Sequence, residues 1–123
     1  MILVDTSIWI DHLRRGDEKL VELLNQGQVL CHPFVVGELA LGSLRNRTSI
    51  LDAMRNLPVA VVATNDEVMS FIDQNKLFGQ GIGFVDAHLL ASVRLSPAAR
   101  LWTRDKRLLA VSLRLGVAEN LPH

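Results

Sequence analysis

The sequence is poor in the residues on which disulfide-bonded, aromatic-rich or strongly basic proteins depend. Cys31 is the single cysteine among 123 residues, so no intrachain disulfide can form, which suits a reducing compartment such as the cytosol. Tyrosine is absent and aromatic residues make up 5% of the chain, which argues against an extended stacking platform for single-stranded nucleic acid. The 13 basic and 13 acidic side chains cancel, so contacts to a nucleic acid must come from local basic patches or through metal ions.

Long hydrophobic runs are also missing. The longest purely apolar stretch covers residues 59–63, which is far too short for a helix that spans a bilayer. The N-terminus places Asp5 after a short apolar run with no basic segment before it, so it does not have the pattern of a signal peptide. We therefore expect a cytoplasmic protein with no membrane contact.

Hydrophobic residues nevertheless make up 49% of the chain. This is enough to bury a core in one compact domain, residues 1–123, without disulfides or a structural metal. Short apolar runs without polar alternation are typical of parallel strands that are buried on both faces. Five segments have this pattern: residues 2–4, 29–31, 59–62, 100–102 and, as a short fifth, 117–118.

Helical patterns separate these segments. Asp5, Asp17 and Thr64 offer N-cap side chains, Pro33 suits the first turn of a helix, and Gly116 suits a helix end. We predict helices that begin near residues 6, 17, 33, 48, 64, 84 and 106. Strands that alternate with helices indicate an α/β protein with an open, mostly parallel sheet of about five strands. In such sheets, functional sites gather at the carboxyl ends of the strands.

Four carboxylates are placed so that they could meet at this edge of the sheet. Asp5 directly follows the first strand and Asp105 follows the fourth, whereas Glu38 and Asp86 lie in the helices after the second strand and before the fourth. Asp86 is the most informative, because apolar residues one turn before it and one to two turns after it place its carboxylate on the inward face of its helix. No basic residue shares that face, and a buried charge needs a partner.

Carboxylates that converge in this way would repel one another when ionised, and a divalent cation relieves that repulsion. Mg²⁺ prefers oxygen ligands and keeps several bound waters, so it can activate a water and neutralise charge at a scissile phosphate. Each residue also has a simpler explanation. Asp5 and Asp105 could be N-caps, Glu38 could face solvent or pair with Arg45, and Asp86 could cap its own helix or the loop before it. The hypothesis therefore depends on the set of four.

The segments Asp5-Thr6-Ser7, Glu38, Asp86-Ala87 and Thr103-Arg104-Asp105 together resemble the PIN-domain family, and in particular the VapC toxins of toxin–antitoxin pairs. The resemblance covers nearly the whole chain. It implies a Rossmann-like three-layer α/β/α sandwich and an endoribonuclease that uses Mg²⁺, or Mn²⁺ in its place. It further implies a homodimer inhibited by a cognate antitoxin, which commonly inserts a peptide segment into the acidic site.

The resemblance also assigns roles to individual residues. The family's metal-site carboxylates, which are its catalytic residues, match four positions: Asp5, Glu38, Asp86 and Asp105. Its supporting hydroxyls match Thr6 and Thr103. Many relatives carry a further acidic residue just after the last carboxylate, where this sequence has Lys106 and Arg107, so the fourth ligand position is less acidic and the number of metals stays open. Together with Arg104, these two cations are candidate RNA-binding residues.

Two other functions remain open from the sequence. A DNA nuclease or a phosphatase could use the same acidic cluster. A receiver-like regulatory module could bind Mg²⁺ without catalysis. A receiver carries two adjacent acidic residues after its first strand, however, and this chain has only Asp5 there.

Two further patterns are interpreted without a function. Gly79, Gly81 and Gly83 are spaced like part of a dinucleotide-binding fingerprint, but they follow an apparent helix instead of a strand, which favours a flexible loop. Cys31-His32 and His88 lack the spacing of a zinc site. We therefore expect them to be core or surface residues.

Overall fold

The computed structural model describes residues 1–119, and the last four residues of the predicted domain, 120–123, lie outside the described part. The strands are β1 (Ile2–Val4), β2 (Val29–Leu30) and β3 (Arg100–Trp102). The helices are α1 (Thr6–Arg15), α2 (Glu18–Asn25), α3 (Pro33–Ala40), α4 (Arg47–Arg55), α5 (Asn65–Asn75), α6 (Phe84–Leu95) and α7 (Lys106–Arg114). The predicted α/β class is confirmed, and each predicted helix begins within one residue of its expected start.

The three strands form a parallel sheet in the order β2-β1-β3. Val4, at the end of β1, lies opposite Trp102, at the end of β3. Because the two strands run in the same direction and end at the same level, the residues that follow them emerge side by side at one edge of the sheet. This register places Asp5 next to the segment that carries Asp105.

The sheet of residues 1–119 has three regular strands in place of the roughly five that the sequence predicts. The two other predicted segments each make a single parallel bridge: Cys31 with Val59, and Leu101 with Ala118. The predicted strand over residues 59–62 leaves the sheet after its first residues, because the amide of Val61 donates to the Ser96 hydroxyl at 3.0 Å instead of to a neighbouring strand. On the same flank, β2 cannot continue because Pro33 begins α3. The bridges extend the parallel order on both outer sides.

Helix caps that the sequence predicts fix the chain direction around the sheet. Asp17 Oδ1 accepts the amide of Leu20 at 3.0 Å and so begins α2. The Thr64 hydroxyl and the Glu67 carboxylate form a reciprocal capping box at the start of α5. Each cap satisfies amide groups that would otherwise have no partner at a helix start.

The core is built around the sheet and α6. Leu3 and Leu101 are fully buried, and every residue of α6 from Ala87 to Val93 is buried. Asp86 directly precedes this buried run, so the helix carries its carboxylate against the core. Within residues 1–119, none of the helices is both long enough and apolar enough to span a membrane.

Candidate active site

Asp5 stands at the carboxyl end of β1 and is only 6% exposed. Its amide donates to the carbonyl of Trp102 at 3.0 Å, which ties it to the end of β3. Its Oδ2 atom accepts hydrogen bonds from the hydroxyls of Ser7 (2.8 Å) and Thr103 (2.7 Å). Although Asp5 is the N-cap residue of α1, its side chain bonds no helix amide. The simpler explanation of Asp5 as an N-cap side chain therefore does not account for this carboxylate.

Asp105 lies across the sheet edge at the start of α7. Its Oδ1 atom accepts the amide of Leu108 at 2.9 Å, so here the N-cap explanation holds for one carboxylate oxygen. Its own amide donates to the Thr103 hydroxyl at 3.1 Å. Thr103 thus links Asp105 to Asp5, since its hydroxyl accepts from one residue and donates to the other.

Glu38 faces the same region from α3. Its Oε1 atom accepts the Thr6 hydroxyl at 2.7 Å, which joins the helix that follows β1 to the helix that follows β2. None of the ion pairs identified in residues 1–119 involves Glu38, so the alternative pairing with Arg45 is not formed there. The partner of Glu38 is instead the hydroxyl of Thr6, which the family resemblance names as a supporting residue.

Asp86 is half-buried at the start of α6, where its Oδ2 atom accepts the amide of Gly83 at 3.1 Å. Burial is the main cause that raises the pKa of Asp86, and the negative charges of Asp5, Asp105 and Glu38 raise it further. The Gly83 amide acts in the opposite direction but does not cancel these effects. The charges of Asp5, Asp105 and Glu38 are therefore close enough to Asp86 to disfavour its ionised form.

The donor chemistry of this cluster fits a hard divalent cation. All four side chains offer carboxylate oxygens, which Mg²⁺ and Mn²⁺ accept as ligands, and the partners identified for them are neutral hydroxyls and amides. Within residues 1–119, no group of three or more His, Cys, Asp or Glu side chains forms a ready metal site. The assignment of all four as metal ligands therefore stays a prediction.

The three candidate RNA-binding cations differ in their surroundings. Arg104 is largely buried, and its guanidinium forms ion pairs with Asp11 at 2.8 Å and with Asp17. These contacts indicate a structural use of its charge. Lys106 and Arg107 are exposed at the start of α7, and they remain the better candidates for contacts to phosphate.

The glycine-rich loop before α6 lies against one of these cations. Gly79 and Gly81 have φ angles of 71° and 78°, in the left-handed region that favours glycine. A Cβ atom at Gly81 would lie 2.7 Å from Cδ of Arg107. The loop follows α5, as the sequence predicts, and the absence of a side chain at Gly81 lets Arg107 lie beside the segment that leads to Asp86.

Comparison with known proteins identifies the family. Residues 2–113 match the family described as PIN domain. The chain belongs to the PIN domain family. It is 54% identical over 118 residues to the protein named Ribonuclease VapC32 in two strains of Mycobacterium tuberculosis, and the match covers 96% of this chain and 95% of the relative.

A solved structure shares the fold of this PIN domain. The structure titled "Crystal Structure of FitAcB from Neisseria gonorrhoeae" matches with a TM-score of 0.61 at 20% sequence identity, covering 96% of this chain and 95% of that chain. Family membership displaces the receiver-like alternative that the sequence left open. The resemblance drawn from the acidic residues and their spacing is confirmed.

Two histidines of this PIN domain belong to its interior. His32 and His88 are both buried. Nδ1 of His32 accepts the amide of Phe34 at 3.0 Å and so caps α3. Burial, together with the nearby His88, lowers the pKa of His32 to about 4, and burial lowers the pKa of His88 as well. Both rings are therefore neutral at pH 7, which agrees with the expected core role.

Two features of the site were missed by sequence reasoning. The sequence assigns Ser7 no role beyond the Asp5-Thr6-Ser7 segment, yet it donates to Asp5 and accepts the amide of Arg104 at 3.1 Å. Asp11 was given no role, yet it pairs with Arg104. The spacing of Ser7, two residues after Asp5, was a usable signal, whereas nothing in the sequence connects Asp11 to a residue so distant in the chain.

Proposed function

We propose that this PIN domain is a metal-dependent endoribonuclease and the toxin of a type II toxin–antitoxin pair. The observation that carries the proposal is the half-buried carboxylate of Asp86, which faces the charges of Asp5, Asp105 and Glu38. A relative that is 54% identical and bears the name ribonuclease supports the choice of RNA as substrate. Residues 1–123 are proposed to act as a single domain.

In this proposal, Mg²⁺ or Mn²⁺ is held by four carboxylates: Asp5, Glu38, Asp86 and Asp105. When bound, such an ion would supply activation of water and charge neutralisation at the phosphate. The protein's contribution is to orient the ligands. The hydroxyls of Ser7 and Thr103 fix one oxygen of Asp5, and the Thr6 hydroxyl fixes Glu38. Hydrogen bonds of this kind limit side-chain rotation and so hold the carboxylates in defined directions.

Phosphate contacts are proposed for Lys106 and Arg107, because both are exposed beside Asp105. No hydrogen bond or ion pair of the Arg107 side chain is identified within residues 1–119, so its charge is available to a substrate. In an RNA complex, each such contact would steepen the slope of log binding constant against log salt concentration by about one unit.

The test of the proposal is Asp86→Asn against a matched control, Asp52→Asn. Asp52 lies on α4, where it pairs with Arg55 at 3.6 Å on the surface. After chelation and return of Mg²⁺ or Mn²⁺, Asp86→Asn should lose metal-dependent RNA cleavage, whereas Asp52→Asn should cut like wild type. Asparagine keeps an acceptor for the Gly83 amide, so the variant should fold, which circular dichroism checks. Wild-type activity in folded Asp86→Asn would rule out the assignment.

The same preparations separate the remaining enzymatic alternatives. RNA, single- and double-stranded DNA and a small phosphomonoester are offered under identical metal conditions. The proposal expects cleavage of RNA alone. Preferential cleavage of DNA, or release of phosphate from the monoester, would replace it with one of the other two enzyme classes.

We further propose a cytoplasmic homodimer that binds a cognate antitoxin. Val59, Val61 and Val62 are exposed on the outer flank of the sheet, and a cluster of exposed apolar side chains is typical of an interface. Light scattering of the purified chain tests the dimer, with a monomer at micromolar concentration as the contrary result. Co-expression with the product of the neighbouring reading frame tests the antitoxin, since a true partner would co-purify and suppress cleavage.

A further inference from the structure

Arg104 connects three separate parts of the fold through its side chain. Its guanidinium donates to Asp11 on α1 at 2.8 Å and to Asp17, the N-cap residue of α2. The guanidinium also lies 5.6 Å from the centre of the ring of Trp102, the residue that ends β3. The side chains of Arg104, Asp11 and Asp17 are 19%, 27% and 14% exposed, respectively, so solvent only partly screens these contacts.

The backbone around Arg104 holds the polar residues of the acidic site. The amide of Arg104 donates to the Ser7 hydroxyl at 3.1 Å, and that hydroxyl donates to Asp5. Thr103, one residue earlier, donates to the same oxygen of Asp5. Asp105, one residue later, donates its amide to the Thr103 hydroxyl. Residues 103–105 therefore orient Asp5 and Asp105 together.

We propose that Arg104 is a positioning residue for the acidic site, and that its ion pairs with Asp11 and Asp17 anchor residues 103–105 so that Thr103 fixes Asp5 and Asp105 faces Asp86. This inference builds on the proposed function of the four carboxylates. It replaces RNA binding as the role of Arg104, because two carboxylates already neutralise its guanidinium and a phosphate would have to compete with both.

The fork shape of arginine matters for this role. A guanidinium presents several N–H groups in fixed directions, so it can serve two carboxylates on different helices at once, whereas a lysine ammonium is a single point charge on a flexible chain. Lysine at position 104 would keep the charge but could not hold both partners with the same geometry. The charge-conserving Arg104→Lys variant therefore separates geometry from charge.

The experiment compares Arg104→Met with two controls. Arg15 is the other cation that contacts Asp11, at a distance of 3.5 Å, and it lies at the exposed end of α1. Arg15→Met removes this cation and leaves residues 103–105 unchanged. Leu51→Ala removes a buried core side chain on α4 and should lower the melting temperature, so it controls for destabilisation alone. Mn²⁺ binding to the RNA-free protein is measured by calorimetry, and kcat and KM are measured on RNA well below each variant's melting temperature.

The expected result is a loss in metal binding and turnover without a loss in RNA affinity. Arg104→Met should weaken Mn²⁺ binding and lower kcat by about 10–100-fold, the range for residues that support metal ligands. KM and its salt dependence should stay at wild-type values. Arg104→Lys should fall between Arg104→Met and wild type, and both controls should bind Mn²⁺ like wild type.

Two outcomes would overturn the inference. A raised KM with a shallower salt dependence in Arg104→Met would make Arg104 an RNA contact. Mn²⁺ affinity and kcat equal to those of Leu51→Ala would reduce its role to general stability. Asp86→Asn, tested in parallel, distinguishes failure of this inference from failure of the proposed function. If Asp86→Asn retains full activity, the acidic site itself is wrongly assigned. If Asp86→Asn is inactive while Arg104→Met behaves like wild type, only the positioning role of Arg104 fails.

Discussion

The ion pairs of Arg104 should give the protein a stability that disappears in acid. Arg104→Met removes two hydrogen bonds to charged partners, each worth about 1.5–3 kcal/mol. Asp11 keeps a weaker contact with Arg15 and is more exposed than Asp17, so solvent screening should reduce its share to about 0.5–1 kcal/mol. We expect a total loss of about 2–4 kcal/mol at pH 7, which corresponds to a melting temperature lower by about 8–15 °C for a chain of this length.

The direction of the pH dependence follows from the two carboxylates. The hydrogen bond from Arg104 lowers the pKa of Asp11. For Asp17, burial raises the pKa, but the bonds from Arg104 and the Leu20 amide outweigh it and the net pKa is lowered. A carboxyl group whose pKa is lower in the folded state contributes stability above its unfolded pKa, near 3.8, and loses that contribution as the pH falls through the folded value.

Urea unfolding of wild type and Arg104→Met between pH 7 and pH 3 measures this effect. Fluorescence of the buried Trp9 and Trp102 reports the transition. The gap between the two proteins should be constant from pH 7 to about pH 5 and should shrink below about pH 4. A gap below about 0.5 kcal/mol at pH 7, typical of an exposed ion pair, or a gap that does not change with pH, would refute the reasoning.

Two further predictions concern the glycine loop and the buried histidine. Gly81→Ala should raise KM for RNA several-fold, because the new methyl group displaces Arg107. Gly79→Ala is the control. It introduces similar backbone strain, about 1–2 kcal/mol, but has no neighbour within 4 Å, so it should leave KM unchanged. Steady-state kinetics of both variants check this, and equal KM values would count against the Arg107 contact. The pKa of His32 is lowered to about 4, so its contribution to stability is present above the unfolded pKa of about 6.5 and is lost as the pH falls toward 4. His32→Asn keeps an N-cap acceptor and should flatten urea-derived stability against pH in that window, by up to about 1.4 kcal/mol per pH unit; an unchanged slope would contradict a buried, neutral His32.

The parts of the fold that the sequence predicts well are those with a local cause. The Asp17 cap, the capping box at Thr64 and the proline at the start of α3 act within one helical turn, so neighbouring residues are enough to recognise them. The outer segments of the sheet were harder. Residues 59–62 look like a strand by composition, but the amide of Val61 is bound by Ser96, a residue from a distant helix end.

The same distinction explains the site. The set of Asp5, Glu38, Asp86 and Asp105 could be proposed because each follows a strand or lies on a helix face whose position the sequence predicts. The use of Arg104 could not, because its partners lie 93 and 87 positions away in the sequence and become neighbours only after α1, α2 and β3 have packed. A basic residue beside an acidic cluster suggests a substrate contact until its tertiary partners are known.

The carboxylates that pair with Arg104 are separate from the four candidate metal ligands, and this separation has a physical consequence for the acidic site. Arg104 is committed to Asp11 and Asp17, just outside the site, whereas the ion pairs identified in residues 1–119 include none of the four candidate ligands. Had the guanidinium turned toward Asp5 and Asp105, it would have stabilised them and left less charge to attract a metal ion. Neutral hydroxyls and amides orient carboxylates without neutralising them. The fold therefore keeps the site negatively charged at some cost in stability, as the raised pKa of Asp86, caused first by its burial and then by the neighbouring carboxylates, indicates.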